Sequence, residues 1–190
     1  MNSRAIVWLD LETTGLDSRS DRILELGVIL TDWQLNELGR SSWVVHYPSD
    51  SLIKLPRVVK KMHTENKLLD EVEKSPLSLE EVEHKTMRFL TPYLEKGTKF
   101  IVGGNSVTFD KLFIEHCMPL LDLLFHHRII DATSVGLISE QWCSNSYNSM
   151  KKLLSDKIYP KENDHRALGD LDKCLNYMRC YKNYIFVDQT

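Results

Sequence analysis

Ala5-Ile-Val-Trp-Leu-Asp-Leu-Glu-Thr-Thr-Gly-Leu16 joins an apolar run to two carboxylates. Ala5 to Leu9 is apolar and rich in β-branched and aromatic side chains, the composition of a buried central strand. Side chains alternate across a strand, so Asp10 and Glu12 share one face while Leu11 points to the other. Two like charges at the end of an apolar strand are costly unless something positive lies between them. A divalent cation meets that need, and an all-oxygen pair favours Mg²⁺ or Mn²⁺ over zinc. Thr13-Thr14-Gly15 reads as a turn in which Gly15 lets the backbone pass close to a ligand. Taken alone, the segment is equally a strand ending in a solvated polar turn. The residues downstream decide between the two.

The 190 residues suggest one domain, residues 1–190, with ample material for a core. A hydrophobic content of 42% and a charged content of 27% are those of an ordinary globular protein. No apolar run approaches the roughly 18 residues that span a bilayer. With the first strand beginning at about residue 5, no signal or transit peptide is expected, which predicts an intracellular protein without a membrane; cytoplasm is the expected compartment, though no residue pattern separates cytosol from nucleus. The net charge of −3 argues against a general electrostatic grip on long nucleic acid. A nucleic-acid substrate would have to be held through a small footprint, with metal ions supplying positive charge. Cys117, Cys143, Cys174 and Cys180 show no Cys-x-x-Cys spacing and read as free thiols.

Further strands are expected at Ile23 to Thr31, with Glu25 an unexpected charge inside, and at Ser42 to Tyr47 after a hairpin-like link at Leu35 to Glu37. Short links between consecutive strands favour an antiparallel meander. From Leu55 the pattern turns helical. Ser78 with Glu81 is a capping-box signature, and Leu77 with Val82 fits a hydrophobic staple. Val82, Thr86, Phe89, Leu90 and Tyr93 form a core-facing stripe. The acidic segment from Asp70 to Glu83 reads as an exposed helical face. A fourth strand at Phe100 to Gly103 leads through Gly104-Asn105-Ser106 into a helix from about Phe109 to Met118. A fifth strand at Arg128 to Asp131 precedes a helix from Thr133 to Trp142. Within 143–163 only Met150 to Leu154 reads as helical. A last helix is expected to start near His165, with Asp164 as N-cap, and to bury Ala167, Leu171, Cys174, Leu175 and Met178. Antiparallel strands followed by alternating helix and strand predict an α/β layered fold with a mixed sheet.

Two more acidic sites answer the first. Asp110 follows the strand-turn Gly103-Gly104-Asn105-Ser106-Val-Thr-Phe109, which sets it at a helix entry. Asp170 closes His165-Arg-Ala-Leu-Gly-Asp170. On a continuous helix His165 and Asp170 would lie roughly 140° apart, so they converge only if His165 sits at or before the first turn. Asp-Leu-Glu-Thr-Thr-Gly, Gly-Asn-Ser-x-x-x-Asp and His-Arg-Ala-Leu-x-Asp are, in order, similar to the three motifs of the Asp-Glu-Asp-Asp-His exonuclease superfamily. Within it the chain most resembles the oligoribonucleases, from Trp8 to about Phe186. Trp8-Leu-Asp-Leu-Glu with Thr-Gly-Leu-Asp17, the segment Thr31 to Asn36, His63-Thr64 and Phe125-His-His-Arg-Ile-Ile-Asp131 all take part in the resemblance.

That resemblance implies a ribonuclease H-like fold and a homodimeric 3′→5′ exonuclease acting on very short RNA, dinucleotides above all. Asp10, Glu12, Asp110 and Asp170 would hold two Mg²⁺ or Mn²⁺ ions, and His165 would be the general base. Two ions would flank the attacking hydroxide and the leaving 3′-oxygen, and an imidazole is suited to taking a proton near neutral pH. Positions matching the family's cap over a 5′-phosphate and base are Leu16, Ser106, Arg128, Thr133 and Ser134. A guanidinium at Arg128 can grip a phosphate bidentately, and hydroxyls at a helix N-terminus would help the same anion. His63 is a further substrate contact on this reading, or else a structural histidine. Departures are equally specific. His127 stands where the family carries a tyrosine that reaches the partner subunit's site, and a histidine offers less stacking area. Val58 is the nearest match to an expected tryptophan. Thr108-Phe109 and Gly169 look more like the proofreading exonucleases.

Two other readings compete with an exoribonuclease for short oligonucleotides. One is a DNA-directed 3′→5′ exonuclease, favoured by Thr108-Phe109-Asp110 and disfavoured by Phe125 to Asp131. The other is a non-catalytic nucleotide binder, which would have no need of all five residues of the catalytic set. Trp33, Trp43 and Trp142 read as core or dimer-surface aromatics.

Overall fold

The structure, a computed structural model, describes residues 2–52, 55–155 and 165–186. Five strands form one mixed sheet in the order β3-β2-β1-β4-β5. They are β1 (Asn2–Thr13), β2 (Ile23–Asp32), β3 (Glu37–Val44), β4 (Lys99–Gly104) and β5 (Phe125–Asp131). The first three are an antiparallel meander, and β4 and β5 add in parallel beyond β1. The helices are α1 (Arg57–Glu65), α2 (Leu68–Lys74), α3 (Leu79–Leu90), α4 (Thr108–Cys117), α5 (Pro119–Asp122), α6 (Ala132–Trp142), α7 (Ser144–Ser155) and α8 (Ala167–Tyr184). This is the α/β layered fold that the strand and helix signals predict.

Alternation along β1 divides the core. Val7, Leu9 and Leu11 face a cluster with Leu26, Val28, Phe113 and Ile114, whereas Ile6 and Trp8 face Ala132, Leu171, Cys174 and Leu175. Asp10 and Glu12 continue the second face, the one covered by α8. The central strands are buried on both sides, so burying their apolar surface at about 25 cal/mol per Å² is what holds the layers together. Residue Trp8 is fully buried and donates its indole N–H to Thr31 Oγ1 at 2.9 Å.

Several expectations shift. Strand β3 starts at Glu37 and ends at Val44, rather than running from Ser42 to Tyr47. Its start is set by the turn before it. There the Asp32 carboxylate accepts from the N–H groups of Gln34 and Asn36, and Leu35 adopts φ 65. The polar Glu37 to Ser42 then pairs as an edge strand, where side-chain apolarity is not required. A full helix α7 occupies Ser144–Ser155, where only Met150 to Leu154 reads as helical. Tyr147, Met150 and Leu154 form a small cluster with Tyr181 of α8, and this tertiary contact outweighs the polar composition. Ser78 and Glu81 do make the capping box at α3. Glu83, expected on an exposed face, is buried, and its carboxylate accepts the N–H groups of Leu120 (2.7 Å) and Leu121 (3.0 Å) at the start of α5. Tyr93 of the expected stripe is outside α3, in a 3₁₀ turn at Thr91–Tyr93, and is exposed. Among the described residues, no helix is long and apolar enough to cross a membrane.

Candidate active site

The candidate site lies where β1 ends, at the rim of the sheet. One carboxylate oxygen from each of Asp10, Glu12 and Asp170 comes within 4.8 Å of the others. Asp10 and Glu12 reach this point because they share the α8 face of β1. Asp170 reaches it because α8 presses onto β2 at Gly27, which pairs with Asp10 across the ladder. A Cβ on Gly27 would sit 2.6 Å from the Ala167 Cβ, so only glycine lets the helix start this close. Asp170 follows one turn after Ala167.

Asp110 joins from the other layer. It is buried in the first turn of α4, and its Oδ1 accepts the N–H of Leu11 at 2.9 Å, the residue between Asp10 and Glu12. The β4 exit that carries it lies tight against β1, since a Cβ on Gly104 would meet the Leu9 carbonyl oxygen at 2.6 Å. Three of the four carboxylates predicted from sequence therefore meet at one strand end, and the fourth, Asp110, is tied to the same strand through Leu11.

Their electrostatics are unfavourable as they stand. Burial, then the charges of Asp110, Glu12 and Asp170, hold the Asp10 carboxyl well above the usual carboxylate range. Burial, then Asp170 and Glu25, pushes Glu12 up to about 8, with Arg166 pulling the other way. Burial pushes Asp110 up to about 7 against the lowering effect of the Leu11 hydrogen bond. The nearest counter-charge is Lys173, whose Nζ lies 2.9 Å from Asp170 Oδ1. A partly buried set of oxygen donors short of positive charge fits hard divalent cations and has no sulfur or nitrogen bias toward zinc.

His165 stands just ahead of α8 in a left-handed conformation, φ 58, and is exposed. That backbone costs about 1–3 kcal/mol for a non-glycine residue and so needs outside support. The N-cap of α8 is Arg166, with no side-chain cap bond. The expected N-cap, Asp164, lies outside the described residues. His165 thus sits before the first turn of α8, the position that convergence with Asp170 requires, and the acidic cluster of Asp10, Glu12 and Asp170 does not include its ring.

Sequence reasoning misses the partners that hold this segment. Glu25, buried in β2 and paired with Glu12 across the ladder, is bound by Arg166 through Nε (2.9 Å) and Nη2 (3.2 Å). Arg166 also grips Glu71 of α2 at 2.9 and 2.8 Å. A signal is present all the same, because a carboxylate inside an apolar strand calls for a buried cation.

His63 is fully buried on α1. Its Nε2 meets the Thr13 carbonyl at 3.1 Å, while Nδ1 has no hydrogen-bond partner among the described residues and lies 3.8 Å from Glu12 Oε2. Burial holds its pKa below the usual value, and the charge of His165 adds to the depression. His63 thus ties α1 to the end of β1 with one nitrogen and turns the other toward the carboxylates.

The remaining candidates sit elsewhere on the rim. Ser106, Thr133 and Ser134 converge at the ends of β4 and β5 on Asp131. Its Oδ1 accepts the N–H groups of Ser106 (2.8 Å) and Thr133 (3.1 Å), and its Oδ2 accepts the Ser134 hydroxyl (2.8 Å). Asp131 is the N-cap of α6, so the helix N-terminus expected to help an anion already carries a carboxylate. Arg128 and His127 are exposed on β5, and the His127 ring lies 4.1 Å from that of His126. The Arg128 guanidinium makes no ion pair among the described residues. Leu16 projects from the β1–β2 turn, 86% exposed. Trp33 and Trp142 are largely exposed, while Trp43 packs edge-on against Phe89.

An exonuclease family model matches residues 7–178. The chain is 33% identical to an oligoribonuclease of Rhodococcus jostii over 185 residues, covering 97% of this chain and 89% of that protein. It is 34% identical to an oligoribonuclease of Actinobacillus pleuropneumoniae, with 97% and 95% covered. Among solved structures, exonuclease I superposes with a TM-score of 0.69 at 14% identity over 95% of this chain and 41% of that one. The single-stranded DNA complex of E. coli exonuclease I in its zinc-bound form gives 0.67 at 14%, over 96% and 41%. The chain thus spans about 41% of the exonuclease I structures it matches, and at that identity the likeness concerns the fold.

Proposed function

Because the chain belongs to the exonuclease family, and within it to the oligoribonucleases, we propose that it hydrolyses short oligoribonucleotides from the 3′ end to mononucleotides, dinucleotides above all. The observation that carries this reading is the convergence of Asp10, Glu12 and Asp170, with Asp110 tied in through Leu11. The 190 residues act as one exonuclease domain in the cytoplasm.

Asp10, Glu12, Asp110 and Asp170 would hold two Mg²⁺ or Mn²⁺ ions, which supply Lewis-acid stabilisation of the charge that develops at the phosphate and the leaving oxygen. The chain's own residues do the rest. His165 takes a proton from the attacking water as the new O–P bond forms and the P–O3′ bond breaks, and the leaving O3′ takes a proton from solvent, giving a 5′-mononucleotide and a free 3′-hydroxyl. Exposure and a position off the helix suit His165 to this task, since the ring must reach solvent-derived water and release its proton afterwards. His63, fixed to Thr13, shapes the floor beside Glu12. Arg128, with Ser106, Thr133 and Ser134, meets the substrate's 5′-phosphate, and Leu16 lies against a base. A cap that reads a terminal phosphate excludes a continuing chain. His127 stacks more weakly than a tyrosine would, so the dinucleotide preference is less steep than a full aromatic would give. A homodimer is supported by the place of β5 at one edge of the sheet and by Ile138 and Trp142, which share an exposed face of α6.

The test is a length series of labelled RNA and DNA, from dinucleotide to long oligomer, with Mg²⁺ or Mn²⁺. Wild type is run beside Asp10→Ala and His165→Ala. Fast cleavage of RNA dinucleotides, falling with length and lost in both variants, is the expected result. Equal rates on long DNA would move the protein to the DNA-directed reading that Thr108-Phe109-Asp110 favours. Turnover unaffected by Asp10→Ala would sink the metal site.

A further inference from the structure

We propose that the elbow between α1 and α2 is a positioning clasp for the His165 segment, in which Asn66 and Glu71 hold the backbone that presents His165 to the carboxylates. This rests on reading His165 as the general base.

Exposed and left-handed, His165 has no helical hydrogen bonds of its own to fix it. Its support comes from residues nearly a hundred positions earlier. The Asn66 side-chain amide donates from Nδ2 to the His165 carbonyl oxygen, and its Oδ1 accepts the Leu68 N–H at 3.0 Å. Both ends of the amide are used, so its orientation is determined. One residue further on, the Arg166 fork closes on Glu71 of α2 while also holding Glu25 of β2. The elbow is itself anchored. Leu68 and Val72, on either side of Glu71 along α2, are fully buried in a cluster with Leu24 of β2 and Leu52. The position of His165 is therefore referred to β2, the strand paired with Asp10 and Glu12.

A purely structural role would have Arg166 neutralise Glu25 and nothing more. Two contacts go beyond it. Glu25 already has a two-nitrogen grip from Arg166 without Glu71, and Asn66 neutralises no charge at all.

Asn66→Asp keeps the acceptor for Leu68 and removes the donor to His165. Glu71→Gln keeps the side-chain shape and removes the negative charge that pairs with the Arg166 guanidinium. For each variant we expect kcat on an RNA dinucleotide to fall roughly 10-fold, as a displaced catalytic group would give, with KM little changed. We also expect faster amide hydrogen exchange over residues 165–170 in protein without added metal, with exchange in β1 unchanged. Wild-type kcat in both variants, or unchanged exchange at 165–170, overturns the clasp. His165→Asn separates the two layers of the argument. If it turns over like wild type, the base assignment falls and takes the clasp with it. If it is inactive while Asn66→Asp and Glu71→Gln keep wild-type kcat, the clasp alone is overturned.

Discussion

Two parts of the sheet rim treat negative charge in opposite ways. At the end of β1, four carboxylates are brought together with little to neutralise them, and burial drives Glu12 up to about 8 and Asp110 up to about 7. At the ends of β4 and β5, a single carboxylate, Asp131, is surrounded by two backbone N–H groups and a hydroxyl. The second arrangement is satisfied within the chain. The first is not, and that deficit is what makes it a candidate to bind cations. A stable polar cluster holds a loop in shape, whereas an unstable one is completed by what binds to it.

The comparison breaks most sharply at Asp10. Asp10→Asn keeps the shape but removes one charge from the cluster. Turnover is expected to fall by about 10³-fold or more, roughly 4 kcal/mol of transition-state stabilisation. The same change should raise the melting temperature of chelator-treated protein at alkaline pH, because it relieves like-charge repulsion. A loss of activity accompanied by lower stability in chelator would mean that Asp10 serves the fold rather than a cation.

The second test uses pH. In the unfolded chain Glu12 and Asp110 ionise near their ordinary values of 4.5 and 3.8, and in the folded protein they hold their protons to about 8 and about 7. Folded pKa values raised above the unfolded ones mean that the stability from these groups is complete below about pH 4 and is lost as pH rises through 8. Chelator-treated protein should therefore melt lower at pH 9 than at pH 5, by about 5–10 °C if some 3 kcal/mol is involved. Glu12→Gln should flatten the slope, as should added Mg²⁺ or Mn²⁺. An equally steep slope in Glu12→Gln would assign the effect to other groups.

The two regions also differ in how far the sequence reveals them. The carboxylate cluster is legible because it depends on strand alternation at Asp10 and Glu12 and on motif spacing at Asp110 and Asp170, which are local rules. Its supports are not, because Glu25, Glu71 and Asn66 meet Arg166 and His165 across separations that no local pattern records. Glu25 stands out only as a charge where none belongs. Glu83 reads as solvent-facing from its helix alone, yet the N-terminus of α5 packs against it and buries it. The edge strand β3 is misread for a related reason, since its limits follow from pairing with β2 rather than from its own side chains. At the Asp131 cluster the sequence reveals the hydroxyls but not that Asp131 occupies the helix N-terminus they are expected to lend to an anion.

Arg128 tests the second region from its cationic side. Arg128→Ala should raise KM for a dinucleotide bearing a 5′-phosphate by roughly 10-fold or more, the loss of a charge-assisted hydrogen bond. Its kcat and metal requirement should stay close to wild type. Arg128→Lys should recover part of the loss, since a point charge replaces the fork. An equal rise in KM for a dinucleotide without the 5′-phosphate would mean that Arg128 reads the chain and not its end.

Asp131 gives the smallest and most discriminating effect. Its carboxylate caps α6 and organises Ser106, Thr133 and Ser134, and on the proposed reading that these residues meet the 5′-phosphate its charge opposes that phosphate. An Asp131→Asn change would keep an oxygen for the N–H groups of Ser106 and Thr133, and asparagine caps helices as well as aspartate does. The variant should therefore leave the fold intact and lower KM for the 5′-phosphorylated dinucleotide by about 2–5-fold. A like charge in contact range in high dielectric would contribute about that much. The gain should shrink at high salt and vanish for a dinucleotide lacking the phosphate. A higher KM instead would show that the Ser134 hydroxyl, released from Oδ2, must be held by a full carboxylate for the cap to work. In that case the charge at Asp131 is the cost of ordering the cap, just as the repulsion at Asp10 and Glu12 is the cost of a cation site.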